Sequence, residues 1–227
     1  VYISYSILDF PDLSVDGTFP LGGIIGTILI FRLGVPPLLA IFLSFFAGMA
    51  AGAVTGVLHV KFKISNLLSG IIVMTALLSV NLALTKLLTG TGYTTTIFSY
   101  KGANITGIFN GKFVGMFSKD VKDLIIILIL AVIVVAMKII VDLFLKTKAG
   151  YMLRATGDNQ KLVVTLSKNA GTYKIFGLAI ANGFVAVSGA IYSQLFMSYD
   201  NNSGSGKVVL ALASVIIGLT VFSGVRF

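Results

Sequence analysis

Apolar residues run along this chain in long stretches separated by short polar segments, with none of the two-residue alternation that a half-exposed strand would show. Stretches at roughly 19–33, 36–58, 64–87, 122–145, 172–197 and 207–223 stand against the ~20 residues that a helix needs to cross a bilayer. Residues 1–8 read as the end of a further helix. The pattern predicts an all-α fold, a polytopic transmembrane helix bundle forming one domain over 1–227. A transmembrane barrel is set aside, because its strands would alternate apolar and polar positions.

The first stretch is the short one. About 15 residues at 1.5 Å each cover only ~22 Å of a ~30 Å hydrocarbon core, so it is expected to start inside the membrane, after a broken or re-entrant segment. Just before it stands LDFPDLSVDGTFP, with Asp9, Asp12 and Asp16 close together in a chain that has eight acidic residues and no Glu. Carboxylates at membrane depth are costly and persist where they are paired or solvated. Asp9, Asp12, Ser14, Asp16 and Thr18 are therefore candidates for a solute path, beside a helix that starts near Thr18 and Pro20 with its positive end toward an anionic group. The other reading is an interfacial loop capped by Asp16 or Thr18. Asn81 and Asn182, polar within apolar stretches, either bond across helices or face the same path. Lys138 and Asp142, four residues apart, share a helix face and are placed to neutralise one another.

Gly48, Gly52 and Gly56, with Ala47 and Ala51 alongside, flatten one face of the second stretch, and Gly22 and Gly26 repeat that spacing one helix earlier. Both read as packing faces with no transport role of their own.

Composition agrees with the pattern: 56% of the 227 residues are hydrophobic and 11% charged, more apolar surface than one soluble core would bury. The formal net charge is +9, but the Lys residues sit mainly between the apolar stretches, where orientation in a membrane explains them better than nucleic acid does. His59, Lys61 and Lys63 in one loop, and Lys146, Lys148, Arg154, Lys161, Lys168 and Lys174 in another, mark the cytoplasmic side. Residues 88–121 then lie outside, in a Gly-, Thr- and Asn-rich segment suited to turns or short strands. Its Asn104-Ile105-Thr106 is read as a chance match to a glycosylation acceptor. With no Cys and one His, thiolate chemistry, disulfides and His-ligated metal clusters are excluded. Ser203 to Lys207 imitates a phosphate-cradling loop but has Asn201 and Val208 where a glycine and a Ser or Thr are needed. No Ser-His-Asp set is available either, so the chain is expected not to be an enzyme. The start at Val1 does not look like an intact signal peptide, and both natural ends are expected to lie beyond the sequence.

Residues 150–172, GYMLRATGDNQKLVVTLSKNAGT, place Leu162, Val163 and Leu166 beside Lys161, Thr165 and Lys168, which predicts a short amphipathic helix along the cytoplasmic face. Arg154 to Asn159 read as its polar opening and turn, a device for holding a protein partner rather than for floating on lipid headgroups.

LRATGDNQKLVVTLSKN followed by KIFGLAIANGFVAVSGAIYSQ resembles the cytoplasmic coupling loop and next helix of bacterial ABC importer permeases, in the branched-chain amino acid and ribose permease superfamily. LDFPDLSVDGTFPLGG and KFKISNLLSGIIVMTALLSVNL are similar to its tryptophan/tyrosine-type members. The resemblance covers nearly all of the chain. It implies a multi-pass subunit of the bacterial cell membrane, paired with a second permease copy in a homodimer, with two ATPase subunits and an extracytoplasmic solute-binding lipoprotein. It implies no cofactor in this chain, with ATP and Mg held by the ATPase. It also implies that Arg154, Gly157, Asp158, Asn159 and Lys161 belong to a coupling loop that docks into the ATPase, and that Asp9 to Thr18 lie near a path opened by alternating access. A small polar solute, an amino acid by analogy, is expected. The sequence departs from the wider pattern in lacking the Glu-Ala-Ala opening of the loop and in carrying Ser167-Lys168 where Gly-Ile is expected. The rival from a different class is an ion-coupled secondary transporter or channel, with the acidic segment and the Lys138/Asp142 pair as coupling groups.

Overall fold

A computed structural model describes residues 1–89, 98–99, 109, 119–158, 163, 169–196 and 198–221. A π-helical turn at Ile3–Ile7 leads through irregular backbone into α1 (Val15–Leu33), α2 (Pro37–Val60) and α3 (Asn66–Thr89). Then come α4 (Lys119–Leu145), the short α5 (Lys148–Asp158), α6 (Ala170–Phe196), a 3-10 turn at Asn201–Gly204 and α7 (Lys207–Val221). Six of these segments are long and apolar enough to cross a membrane, as the hydrophobic pattern predicts. The only regular strand pairing among the described residues is two residues long: β1 (Phe98–Ser99) lies antiparallel to β2 (Ser198–Tyr199).

α1 begins four residues earlier than the expected start at 19. Ser14 explains the difference: its carbonyl accepts from the Gly17 N–H at 3.0 Å, from the Thr18 N–H at 2.9 Å and from the Thr18 hydroxyl at 3.0 Å. The turn thus closes before Pro20, which then sits inside the helix. At the other end Gly34, at φ 62°, supplies the left-handed residue that stops α1, and Pro37 opens α2 in the first turn, where its missing N–H is no loss.

The core is a close stack of α1, α2 and α6. A Cβ added at Gly22 would strike the Ala186 carbonyl, and one added at Gly48 or Gly52 would strike the carbonyls of Asn182 and Leu178. These spacings run α1 parallel to α6 and α2 antiparallel to it, at a separation only small residues permit. α3 packs on α1 through Val73 and Leu77. A separate apolar cluster, with Ile7, Leu8, Phe10, Leu145, Leu153 and Leu178, joins the N-terminal turn to α5 and the first half of α6. α4 and α7 turn most of their large apolar side chains outward.

Candidate functional site

The polar centre forms where the chain is irregular. Asp9, at φ 50°, turns the backbone sharply between the π-helical turn and Phe10, and residues 8–14 then run between α3 and α6 before α1 starts. Asp12 is 5% exposed, and Ser14, Thr18 and Asn182 are fully buried. The Asn182 amide donates to Asp12 Oδ2 at 2.6 Å and to the Leu178 carbonyl at 3.2 Å, while the Ser14 N–H donates to Asp12 Oδ1 at 2.9 Å. The Ser14 hydroxyl donates to Asn182 Oδ1 at 3.3 Å, closing the loop. Asn182 is twelve residues into α6, about 18 Å along its axis, so the cluster lies deep within that span. These donors are neutral dipoles held by two helices and a bend. Each hydrogen bond to the carboxylate contributes about 1.5–3 kcal/mol, which offsets part of the cost of holding it there.

The other residues singled out in the sequence separate into different places. Asp16 does not cap its own helix: its carboxylate accepts from the Gly206 N–H at 3.0 Å and the Val208 N–H at 2.9 Å, and so caps α7. Asn81 donates to the Gly17 carbonyl at 3.1 Å, while its own buried Oδ1 has no partner among the described residues. Asp9, three residues from Asp12, is exposed and stands apart from the buried cluster. It shares a cavity of about 460 Å³ with Arg154, Gly157 and Asp158. Lys138 and Asp142 line a larger, mainly apolar cavity of about 890 Å³ beside α6 and α7. The ring of His59, with Nδ1 2.9 Å from the Ile64 carbonyl and edge-on to Phe10, is a packed structural group.

Arg154 to Asp158 form the last turn of α5, not the opening of a helix. The Thr156 hydroxyl bonds back to Met152 O at 2.7 Å, and Leu153 is buried against Gly177, which continues α5 through the polar run. Asn159, Lys161, Leu162, Leu166 and Asn104 lie outside the described residues, and with them the centre of the expected amphipathic helix.

Sequence reasoning missed several buried polar side chains, Tyr199 and Asn201 among them. Tyr199 and Asn201 are buried between α6 and α7, with the Tyr199 hydroxyl donating to Asn201 Oδ1 at 3.1 Å and its ring beside Gly23. The signal was the run YDNNSGSG, too polar for a span and too short for an outer domain.

Six candidate spans, with a buried carboxylate and amide held between the start of α1 and α6, define a multi-pass integral membrane protein. The chain belongs to the family described as branched-chain amino acid transport system / permease component, whose profile matches residues 1–226. It is 42% identical over 229 positions to the tyrosine transport system permease protein of Clostridioides difficile, covering all of this chain and 70% of that protein. It is 31% identical over 224 positions to an uncharacterized protein of Rickettsia prowazekii, covering 98% of the chain and 71% of the relative. It is also 27% identical over 185 positions to the guanosine ABC transporter permease protein of Bacillus subtilis, covering 78% and 56%. No solved structure matches. The chain is thus the permease component of an ABC transporter, a non-catalytic subunit whose ATPase is a separate partner. That membership sets the secondary-transporter reading aside.

Proposed function

We propose that this permease imports an amino acid, an aromatic one in the first instance, along a path that passes the Asp12–Ser14–Asn182 cluster. The observation that carries the proposal is the deeply buried Asp12 carboxylate, bonded to Asn182 where irregular backbone meets the start of α1. Irregular backbone at membrane depth is tolerated where it is enclosed by protein or lines a cavity. Residues 8–14 are the broken segment, and the turn at Asn201–Gly204, lying on Asp16 and Pro20, is a second re-entry into the bundle. A carboxylate there offers a partner to the ammonium of an amino acid, and the amide of Asn182 offers either a donor or an acceptor. The solute class rests also on the tyrosine permease relative.

The Lys-rich ends of α2, α4 and α6 face the cytoplasm in this reading. Two permease copies pair, an extracytoplasmic lipoprotein delivers the solute, and two ATPase subunits holding ATP and Mg close beneath them. Residues 150–172, with α5 leading in, carry that closure to α6 and reorient the bundle by alternating access. The buried face that joins Leu145 and Leu153 to Leu178 is a mechanical link of the required kind.

The test is uptake of labelled amino acids into vesicles holding the permease with its ATPase and binding protein. ATP-dependent tyrosine uptake that falls at least tenfold in Asp12→Asn, with the complex still assembled, supports the path. Uptake unchanged by that substitution sinks it, and uptake indifferent to ATP sinks the partner scheme.

A further inference from the structure

The path does not use the cavity of about 460 Å³ at the other end of the irregular segment, between the N-terminal turn and the last turn of α5. Tyr2, Tyr5, Asp9, Arg154, Gly157 and Asp158 are among the residues that line it. Its volume lies within the roughly 300–1,000 Å³ of small-molecule sites. Arg154, Asp9 and Asp158 are exposed and make no ion pair with one another or with any described residue, so one guanidinium and two carboxylates border the same space. Two backbone features hold this shape. Asp9 sits at φ 50°, a left-handed turn that Asp tolerates better than most side chains and that reverses the backbone here. Gly157 lies so close to the Ile7 carbonyl that any side chain there would push the turn away and open the cavity wall.

The charge arrangement selects its ligand. A guanidinium grips a carboxylate through two parallel N–H donors, while two carboxylates hold an ammonium. A ligand with a carboxylate alone meets two repelling anions, and one with an ammonium alone leaves the arginine opposed. A molecule that carries both groups a few ångströms apart satisfies all three, and Tyr2 and Tyr5 line the same cavity. We propose that this cavity is a binding site for a free zwitterionic amino acid on the cytoplasmic side, distinct from the Asp12 path, and that its occupation slows import as solute accumulates. The regulatory half rests on the proposed amino acid import and orientation; the binding half does not.

The two halves are tested separately. Equilibrium dialysis of purified, detergent-solubilised permease uses radiolabelled L-tyrosine, with tyramine and 3-(4-hydroxyphenyl)propionate as competitors. The expected result is saturable tyrosine binding that neither competitor displaces, and that weakens at least tenfold in Asp9→Asn and in Arg154→Gln. It persists in Asp12→Asn, where the path cluster is broken. Binding lost in Asp12→Asn but kept in Asp9→Asn would put the bound tyrosine in the path and overturn the site, as would no binding at all in the monodisperse wild type. Displacement by tyramine alone would overturn the zwitterion requirement.

The second measurement is ATP-driven uptake by the assembled transporter, with the ATPase-side compartment either empty or preloaded with tyrosine. Preloading is expected to lower the initial rate several-fold in the wild type and to leave the preloaded-to-empty ratio near one in Asp9→Asn. Equal ratios in the two proteins overturn the brake. If no vesicle takes up tyrosine, the import reading has failed, and the dialysis result still decides the site.

Discussion

α4 and α6 are each 27 residues long and both are apolar enough to span a membrane, yet their surroundings are opposite. Most of α6's membrane-length window is buried in the protein, and none of α4's is, although α4 is the more hydrophobic of the two. In a soluble protein that order would be reversed. Lipid solvates Leu, Ile and Val as well as a protein core does, so hydrophobicity alone gives no reason to bury a helix in a bilayer. Close approach and hydrogen bonding do. α6 offers Gly177, Gly183 and Gly189 with buried Ala at 179, 181, 186 and 190, and it carries Asn182. α4 has no glycine and turns Ile127, Val132, Val134 and Leu143 outward.

The largest effect that can break this contrast comes from volume. Gly48→Leu puts a side chain where the Asn182 carbonyl lies 12 residues into α6. It is expected to destabilise by about 3 kcal/mol or more, since overpacking here must move backbone rather than a side-chain end. Leu128→Phe, a comparable gain in bulk on exposed α4, is expected to stay within about 0.5 kcal/mol. Thermal melting in lipid nanodiscs compares them; similar losses in the two would show that α4 is as tightly held as α6.

Next comes the polar bond at the same contact. Asn182→Ala leaves the Asp12 carboxylate with the Ser14 N–H but without its 2.6 Å donor, at an expected cost of about 1.5–3 kcal/mol. Asn182→Asp, which sets a second carboxylate against the first, is expected to be worse than the alanine. An alanine variant that melts with the wild type would mean that water replaces the amide, and that the cluster is open rather than buried.

These two centres differ in how far the sequence reveals them. Hydrophobic run lengths locate all six spans to within a few residues, because that signal is local and needs only bilayer thickness for its interpretation. The glycine spacing marks α2 as a packing helix for the same reason. The acidic segment is legible as an anomaly but its members are not separable: Asp9, Asp12 and Asp16 look alike in the chain. A left-handed bend at residue 9 sends the first to a surface cavity, the second to Asn182 and the third to α7. Those partners lie about 145–190 positions away, beyond any periodicity. The end of α5 reads as a beginning in the sequence because its polar residues suit either end of a helix, and burial of Leu153, which decides the matter, is a tertiary fact.

α7 is held to the core by another means, which gives a third and smaller test. Its first turn offers backbone N–H groups of Gly206 and Val208 to Asp16 on α1. Asp16→Ala removes both acceptors and is expected to cost about 1–2 kcal/mol, the range of a lost N-terminal cap. The loss should be local: amide exchange at Val208 and Val209 should quicken while α6 stays protected. Uniform loss of protection would mean that Asp16 holds the whole bundle.

The smallest effect concerns Lys207, whose ammonium lies 5.4 Å from the ring centre of Phe19 and 5.1 Å from that of Tyr192. Two opposing contributions meet there. Attraction to the two rings together, at these separations, is worth about 0.5–1 kcal/mol, while a cation in the first turn opposes the helix dipole by about 0.3–1 kcal/mol. With Asp16 in place, its carboxylate offsets that repulsion, and Lys207→Met is expected to destabilise only slightly, by less than about 1 kcal/mol. With Asp16→Ala in the background the repulsion stands alone against the rings, and the same substitution should become neutral or stabilising. The double-mutant cycle by thermal melting reads that change. A coupling of zero would show that Lys207 is held by its rings alone, and that α7, unlike α6, owes its docking to aromatic contact rather than to the capped end.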